Sequence, residues 1–344
     1  VTVRVGINGF GRIGRSFLRA ASGRGADIEI VAVNDLASVE ANANLLAFDS
    51  TQGRFEGVGV EGGDLVVQGR RISVLAERDP AALPWKDLGV EVVLESTGRF
   101  TKRADAAKHL EAGARQVVVS APCSDADQTI VVGVNDQDFD PDRHQVVSNA
   151  SCTTNCFVPM VKVLDDAFGV KSGLMTTVHA YTNDQQLLDL VHKDPRRARA
   201  AAVNIVPSST GAARATSLVL SAMAGRLDGT SLRVPVPVGS ITDFTAVLER
   251  PATKDDVNAA FREAAAAGPL QGILAYSEAP IVSSDIVGTS VSCTFDAPLT
   301  MVLDTGGICL AKVFGWYDNE WGYSNRLVDL VELVGGARQP TSSR

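Results

Sequence analysis

The chain has 344 residues and a mass of 36.2 kDa, more than one core of about 250–300 residues accommodates, so two domains are expected. With 45% hydrophobic and 21% charged residues and a net charge of −8, the composition excludes disordered, collagenous and disulfide-scaffold classes. The charge also argues against nucleic acid as the main partner and against a membrane surface. The five cysteines, at 123, 152, 156, 293 and 309, are an odd set with long gaps, in a chain large enough to need no staples, which points to a reducing, cytoplasmic setting. Only Cys152 and Cys156 lie close together, and the four histidines supply no second metal-like pair, so no metal is expected. No basic stretch followed by an apolar one opens the sequence, and no window reaches 18 apolar residues, so neither a signal peptide nor a spanning helix is expected.

In chain order, strand-like alternation over 2–7 leads into a helix over 12–21 and a second strand over 28–33. Apolar runs follow at 90–95, 116–120 and 129–132, with a helical segment over 103–112. This alternation indicates a mostly parallel, doubly wound sheet. Beyond 149 the pattern changes. Residues 153–168 place Phe157, Met160, Val161, Leu164 and Phe168 at helical spacing, with Gly169 as a stop. Strand-like runs over 173–181, 231–235, 241–249, 287–295 and 308–316 and helices near 211–222 and 254–267 suggest an α+β domain. Residues 182–207 read as a long functional loop, 324–334 as a closing amphipathic helix that could pack on either domain, and 335–344 as a frayed tail.

Two groups of residues carry chemistry. Gly9, Gly11 and Gly14 form G-x-G-x-x-G between a strand and a helix, a spacing that allows a tight turn, close approach to a pyrophosphate and close helix packing. Asp35, at the end of the next strand, can accept hydrogen bonds from an adenosine ribose and repels a 2′-phosphate, so NAD is favoured over NADP. Arg78, Thr97, Gly98 and Ser120 stand at strand ends where they complete such a crevice or are ordinary surface positions. In the second group Cys152 opens a helix capped by Ser151, where orphan amides and an imidazolium would lower its pKa; the competing reading is an inert buried thiol. Cys156 reads as a small core residue. His179, at a strand end, is a candidate base or a structural histidine. Arg196, Arg197, Arg199, Arg233 and the run Ser208, Ser209, Thr210, Gly211 suit anions, or form a basic turn and a cap.

The motifs Ile7-Asn8-Gly9-Phe10-Gly11-Arg12-Ile13-Gly14-Arg15, Glu95-Ser96-Thr97-Gly98, Ser148-Asn149-Ala150-Ser151-Cys152-Thr153-Thr154-Asn155-Cys156, Thr210-Gly211-Ala212-Ala213 and Trp316-Tyr317-Asp318-Asn319-Glu320 resemble those of glyceraldehyde-3-phosphate dehydrogenase, in family order. The resemblance implies a Rossmann-type domain over 1–151 and 317–334, an α+β catalytic domain with a mostly antiparallel sheet over 152–316, and a homotetramer with loop 182–207 at subunit contacts. It implies phosphorylating, NAD-dependent oxidation of D-glyceraldehyde 3-phosphate in glycolysis, with Cys152 as nucleophile and His179 as base. Arg12, Ile13, Asp35, Arg78, Ser120 and Asn319 then correspond to cofactor contacts. Thr182, Arg197 and Arg233 correspond to ligands of the substrate phosphate, and Ser151, Thr153, Thr210 and Gly211 to ligands of inorganic phosphate. Three places depart from the common pattern: Val191 where many NAD-preferring members have Pro, Val236-Pro237-Val238-Gly239, and Trp321. Competing assignments are an erythrose-4-phosphate dehydrogenase and a redox-sensing or binding role of the same thiol.

Overall fold

The structure is a computed structural model that describes residues 2–336. The chain divides into two compact units, one of 2–130, Asp136–Ala150 and 324–336, the other of Val131–Asn135 and Ser151–Tyr323.

The first unit contains β1 Val3–Asn8, α1 Arg12–Arg24, β2 Ile28–Asn34, α2 Val39–Ala47, β3 Phe48–Asp49, β4 Gly53–Arg54, β5 Val58–Glu61, β6 Asp64–Val67, β7 Arg70–Leu75, β8 Val92–Glu95, α3 Arg103–Ala106, α4 Lys108–Glu111, β9 Gln116–Val119, β10 Gln128–Thr129 and β11 Val146–Ser148. Its main sheet has the order β10-β11-β9-β8-β1-β2-β7-β6-β5. It is parallel from β10 to β7, and β6 and β5 extend it antiparallel. Strands β8, β9 and β11 are buried at every position, because helical crossovers cover both faces of a parallel sheet. The helix expected over 103–112 is interrupted at Ala107, and the expected strand over 129–132 keeps only its first residue; Val134 and Asn135 turn back to the Val131 carbonyl instead.

The second unit contains α5 Cys152–Phe168, β12 Val170–Ala180, β13 Val206–Ser209, α6 Ala212–Ala215, β14 Leu227–Val234, β15 Ser240–Leu248, α7 Lys254–Ala266, β16 Leu274–Ser277, α8 Ser283–Ile286, β17 Cys293–Asp296, β18 Met301–Thr305 and β19 Ile308–Tyr317. Its sheet runs β13-β14-β12-β15-β19-β17-β16, with β18 on β19. Pairing is antiparallel except for β12 with β14 and β16 with β17. Strict alternation of buried and half-buried residues along β15 and β19 turns one face onto α5 and α7, as expected for a sheet with one covered face. There Phe157 meets Phe244 edge-on at 4.9 Å and Phe261 stacks on Phe295 at 3.8 Å. The helix expected over 211–222 is one α-turn followed by 3-10 turns, and of the strand expected over 287–295 only 293–295 is extended, the chain turning over 287–292 after α8.

The last helix, α9 Trp321–Gly336, belongs to the first unit from Ser324 on, where Arg24 binds the Asn325 carbonyl and Asp329, and the Asp27 amide binds Glu332. The change of unit comes at Ser324 and not at 317, because Tyr317 completes β19 and Asn319 is bonded to Gly239 and Ser240. Gly335 and Gly336 are helical, so the expected tail begins no earlier than 337, outside the described residues. No helix among those residues is long and apolar enough to cross a membrane.

Candidate active site

In the first unit β1 is flanked by β2 on one side and β8 on the other, and in such a sheet ligands bind beyond the carboxyl ends of strands where the order reverses. Gly9 follows β1 with φ +91, and a Cβ there would stand 2.6 Å from the Thr97 nitrogen. A Cβ on Gly14 would stand 2.3 Å from the Gly9 carbonyl oxygen. Only glycine permits this turn, which is folded tightly on the end of β8 and strengthened by the Ser96 hydroxyl donating to the Gly9 carbonyl at 2.6 Å. The N-cap of α1 is Gly11, which has no side chain to occupy the helix start, and an uncapped helix N-terminus is an anion site. Asp35 accepts the Phe10 amide on one oxygen and the Ala37 amide on the other, both at 2.9 Å, which aims the carboxylate while leaving each oxygen a further lone pair. Leu36 beside it is 51% exposed and carries no charge. These residues fit a dinucleotide whose ribose is unphosphorylated.

The other expected cofactor residues are less uniform. Ile13 lies in the first turn of α1, Thr97 and Gly98 directly follow β8, and the Ser120 amide closes β9 onto the Glu95 carbonyl at 2.9 Å. Arg78 is exposed in the loop after β7, its amide on Glu77. The Arg12 guanidinium is ion-paired with Asp49 and donates to the Thr51 hydroxyl, so its charge is directed into the protein. Burial would raise the Asp49 pKa, but the amides of Gln52 and Thr51 and the Arg12 guanidinium hold this carboxyl well below the usual range. Asn319 lies in the second unit, where its Oδ1 accepts the Gly239 amide at 3.2 Å and the Ser240 hydroxyl at 3.1 Å.

In the second unit Cys152 is the first residue of α5, and Ser151 caps that helix by accepting the Thr154 amide at 3.1 Å. The preceding Ala150 has φ 54, a left-handed conformation that costs a non-glycine residue about 1 kcal/mol. The Cys152 Sγ lies 3.5 Å from His179 Nε2. His179 Nδ1 lies 2.6 Å from its neighbour's carbonyl, Ala180 O. In the tautomer that donates Nδ1–H to this carbonyl, Nε2 presents a lone pair to the thiol. Parallel pairing of β12 with β14 sets Arg233 opposite His179, with Arg233 Nη1 2.9 Å from His179 Nδ1 and 3.1 Å from the Thr182 hydroxyl.

Electrostatics differ here from the preformed thiolate expected from the helix start alone. Burial pushes the Cys152 thiol up, against the Arg233 charge and the amide and hydroxyl of Thr153. Burial and Arg233 push His179 down to about 3. Each group taken singly is therefore held neutral, and charge arises by passing the thiol proton to Nε2, which creates both charges together with no net charge to bury. The Ala180 carbonyl supports the imidazolium that results.

The anion-binding candidates partly converge. Thr182 donates to Asp184, Arg197 pairs with Asp184 and donates to the Ser208 hydroxyl at 2.7 Å, and Arg233 reaches Thr182 while keeping a buried Nε with no partner. Arg197 is thereby separated from its neighbours, since Arg199 pairs with Asp189 on the surface and Arg196 is exposed. Thr210 accepts the Ala212 amide, and Gly211 is the exposed cap of α6. The Thr153 hydroxyl is instead paired at 2.9 Å with the buried Tyr317 hydroxyl, which also meets Thr177 at 2.7 Å. Sequence reasoning placed Ser208 in the anion-binding run but did not single out Asp184 or Tyr317 for these positions. Asp184 sits two residues beyond Thr182, a local spacing that could have flagged it, whereas Tyr317 reaches Thr153 only through the pairing of β19 with β15 and the packing of α5. Among the described residues no three His, Cys, Asp or Glu side chains converge as for a metal, and all five cysteines are free.

Residues 3–103 match the model of the NAD binding domain of glyceraldehyde 3-phosphate dehydrogenase, and residues 151–319 match that of its C-terminal domain. The chain is 60% identical over 336 residues to a Streptomyces coelicolor protein named glyceraldehyde-3-phosphate dehydrogenase, covering 97% of this chain and 99% of that one. A Mycobacterium avium protein of the same name is 59% identical over 342 residues, with the same two shares. Matched in both of its units by the domain models and along nearly its whole length by these relatives, the chain belongs to the glyceraldehyde-3-phosphate dehydrogenase family.

Proposed function

We infer that the chain catalyses the NAD-dependent, phosphorylating oxidation of D-glyceraldehyde 3-phosphate to 1,3-bisphosphoglycerate, the step of glycolysis and gluconeogenesis that the family name denotes. The observation that carries this is the thiol at the start of α5 with an imidazole nitrogen 3.5 Å away, beside an arginine-rich anion group. The first unit holds the cofactor and the second the covalent chemistry. His179 Nε2 takes the Cys152 proton, and the sulfur adds to the aldehyde carbon to give a thiohemiacetal. The imidazolium returns that proton to the adduct oxygen, and the neutral ring then accepts it back from the hydroxyl as hydride leaves, so a thioester remains on Cys152. NAD, when bound, supplies the hydride acceptor. A phosphate oxygen then attacks the thioester carbonyl, and the Cys152 thiolate departs with the acyl phosphate as product.

Thr182 and Arg233 hold the phosphate of the substrate, the uncommitted Arg233 Nε supplying a charge-assisted donor. Arg197 joins them at the substrate phosphate, and Ser151, Thr153, Thr210 and Gly211 surround inorganic phosphate, with Thr153 held from behind by Tyr317. Gly9, Gly11, Ile13, Asp35, Thr97, Gly98, Ser120 and Asn319 contact the cofactor, with Arg12 supporting the turn through Asp49. A homotetramer is supported by the apolar side chains that the 182–207 segment leaves in solvent: Leu187, Leu188, Leu190, Val191, Val203 and Ile205. A reducing, cytoplasmic setting follows from a nucleophile that must remain unoxidised. The test is steady-state turnover of glyceraldehyde 3-phosphate and erythrose 4-phosphate, with NAD or NADP, with and without phosphate. Fast, phosphate-dependent NAD reduction with the triose phosphate is the expected result; phosphate-independent preference for the tetrose, or no turnover at all, overturns the assignment.

A further inference from the structure

Three neighbouring strands of the second unit end at one place, and a single hydroxyl joins what they carry there. His179 stands next to last in β12, Asn319 lies two residues beyond β19, and β15, which pairs with both strands, begins at Ser240. Ser240 and Ala180 are both fully buried. The Ser240 hydroxyl oxygen accepts the Ala180 amide at 3.0 Å, and its hydrogen goes to Asn319 Oδ1 at 3.1 Å. These directions are forced. The Ala180 amide and the Gly239 amide, which lies 3.2 Å from the same Oδ1, can only donate, so an oxygen faces each of them and the one hydroxyl hydrogen is left for Asn319.

Both ends of this bridge reach the site. Ala180 is the residue whose carbonyl oxygen lies 2.6 Å from His179 Nδ1 and accepts Arg233 Nη1 at 3.2 Å, so the bond from its amide to Ser240 steadies the group that holds the imidazole. At the other end two donors fill Asn319 Oδ1, and Nδ2 has no partner among the described residues. That nitrogen is the donor left for a ligand. An alanine at 240 would leave the Ala180 amide unpaired and Asn319 Oδ1 on one donor.

We propose that Ser240 is a positioning residue for the reaction, its buried hydroxyl tying the cofactor residue Asn319 and the residue that holds the base His179 to one atom. This role rests on the dehydrogenase reading and adds to it a group that acts only through its neighbours. Fixing Ala180 keeps the imidazole set toward Cys152, and fixing Asn319 Oδ1 keeps Nδ2 presented to the cofactor. Both arms are then in place before either ligand arrives, which is where the rate gained by orientation comes from.

The test is a double-mutant cycle on the full-length chain: wild type, Ser240→Ala, Asn319→Ala and the two combined. Two quantities are measured, the Kd of NAD by calorimetry and the rate of Cys152 alkylation by iodoacetamide at pH 7.5 without cofactor, the other four cysteines being buried. Ser240→Ala is expected to weaken NAD by about fivefold and to slow alkylation by about fivefold. In the Asn319→Ala background the same change is expected to cost less than about twofold in NAD affinity and still to slow alkylation by about fivefold, because the hydroxyl serves the cofactor through Asn319 and the thiol through Ala180. An equal loss of NAD affinity in both backgrounds, the mark of a merely structural role, overturns the proposal. So does a Ser240→Ala variant in which either quantity stays at its wild-type value. Should Ser240→Ala not fold, Ser240→Cys, whose thiol fills the space but is a weak hydrogen-bond partner, takes its place with the same expected and overturning results. A wild type that does not bind NAD overturns the dehydrogenase reading itself, whereas a wild type that binds NAD beside an unaffected variant overturns the role of Ser240 alone.

Discussion

Replacing His179 by Gln tests the site through two independent quantities. The first is acid sensitivity. His179 falls from 6.5 to about 3 on folding, so between those values the unfolded chain binds a proton that the folded chain does not, and stability present above pH 6.5 is lost as the pH falls. Going from pH 7.5 to pH 5 crosses about 1.5 units of that window, which at about 1.4 kcal/mol per unit costs the wild type about 2 kcal/mol from this residue. The Gln variant lacks this term. Urea unfolding monitored at both pH values should show a loss on acidification smaller by about 2 kcal/mol in His179→Gln. The second quantity is proton transfer. With Nε2 gone, no other base among the described residues contacts the half-buried thiol, and single-turnover NADH formation should slow by about 10²–10⁴-fold. Equal acid sensitivity of the two proteins would refute the buried neutral imidazole, and an undiminished single turnover would refute its role as base.

Other substitutions probe the remaining geometry. Gly14→Ala places a methyl 2.3 Å from the Gly9 carbonyl, and is expected to destabilise the first unit by about 1–3 kcal/mol and to weaken NAD binding by at least about tenfold, whereas Gly11→Ala, with nothing within 4 Å, should change thermal stability little. Asp35→Ala removes the ribose acceptor and should weaken NAD by about tenfold while narrowing its lead over NADP, read from kcat/KM with each cofactor; an unchanged preference would shift the discrimination to Leu190 and Val191. Arg197→Gln should raise KM for the anionic substrates by about tenfold or more, and Arg199→Gln, whose guanidinium pairs with Asp189 at the surface, should leave them within about twofold.

Local rules carried a large part of the fold and site. The glycine spacing, the cap at Ser151 and the helical stripe from Phe157 to Phe168 are decided within a few residues, so the turn, the α5 start and the Cys152 position were legible in the sequence. The His179–Arg233 contact was not, because it arises from parallel pairing of strands far apart in the chain, and neither residue's neighbours encode that register. The same holds for the direction of the Cys152 shift: the helix start is local, but the burial that opposes it comes from the sheet beneath. In 211–222 a single α-turn and 3-10 turns, and in 287–292 irregular turns, replace the regular element that apolar spacing suggests. The family motifs imply a cofactor contact for Arg12, yet the pairing partner of its guanidinium, Asp49, lies on a short strand that periodicity does not reveal.

The central claim is a thioester on Cys152. It is tested most directly by mixing the enzyme with NAD and glyceraldehyde 3-phosphate in the absence of phosphate, quenching in acid and mapping the peptides by mass spectrometry. One 3-phosphoglyceroyl group per chain is predicted, confined to the peptide bearing Cys152, lost on adding phosphate and absent from Cys152→Ser, which still binds NAD. An unmodified Cys152 during rapid NADH formation, or an acyl group carried by another residue, would contradict the account.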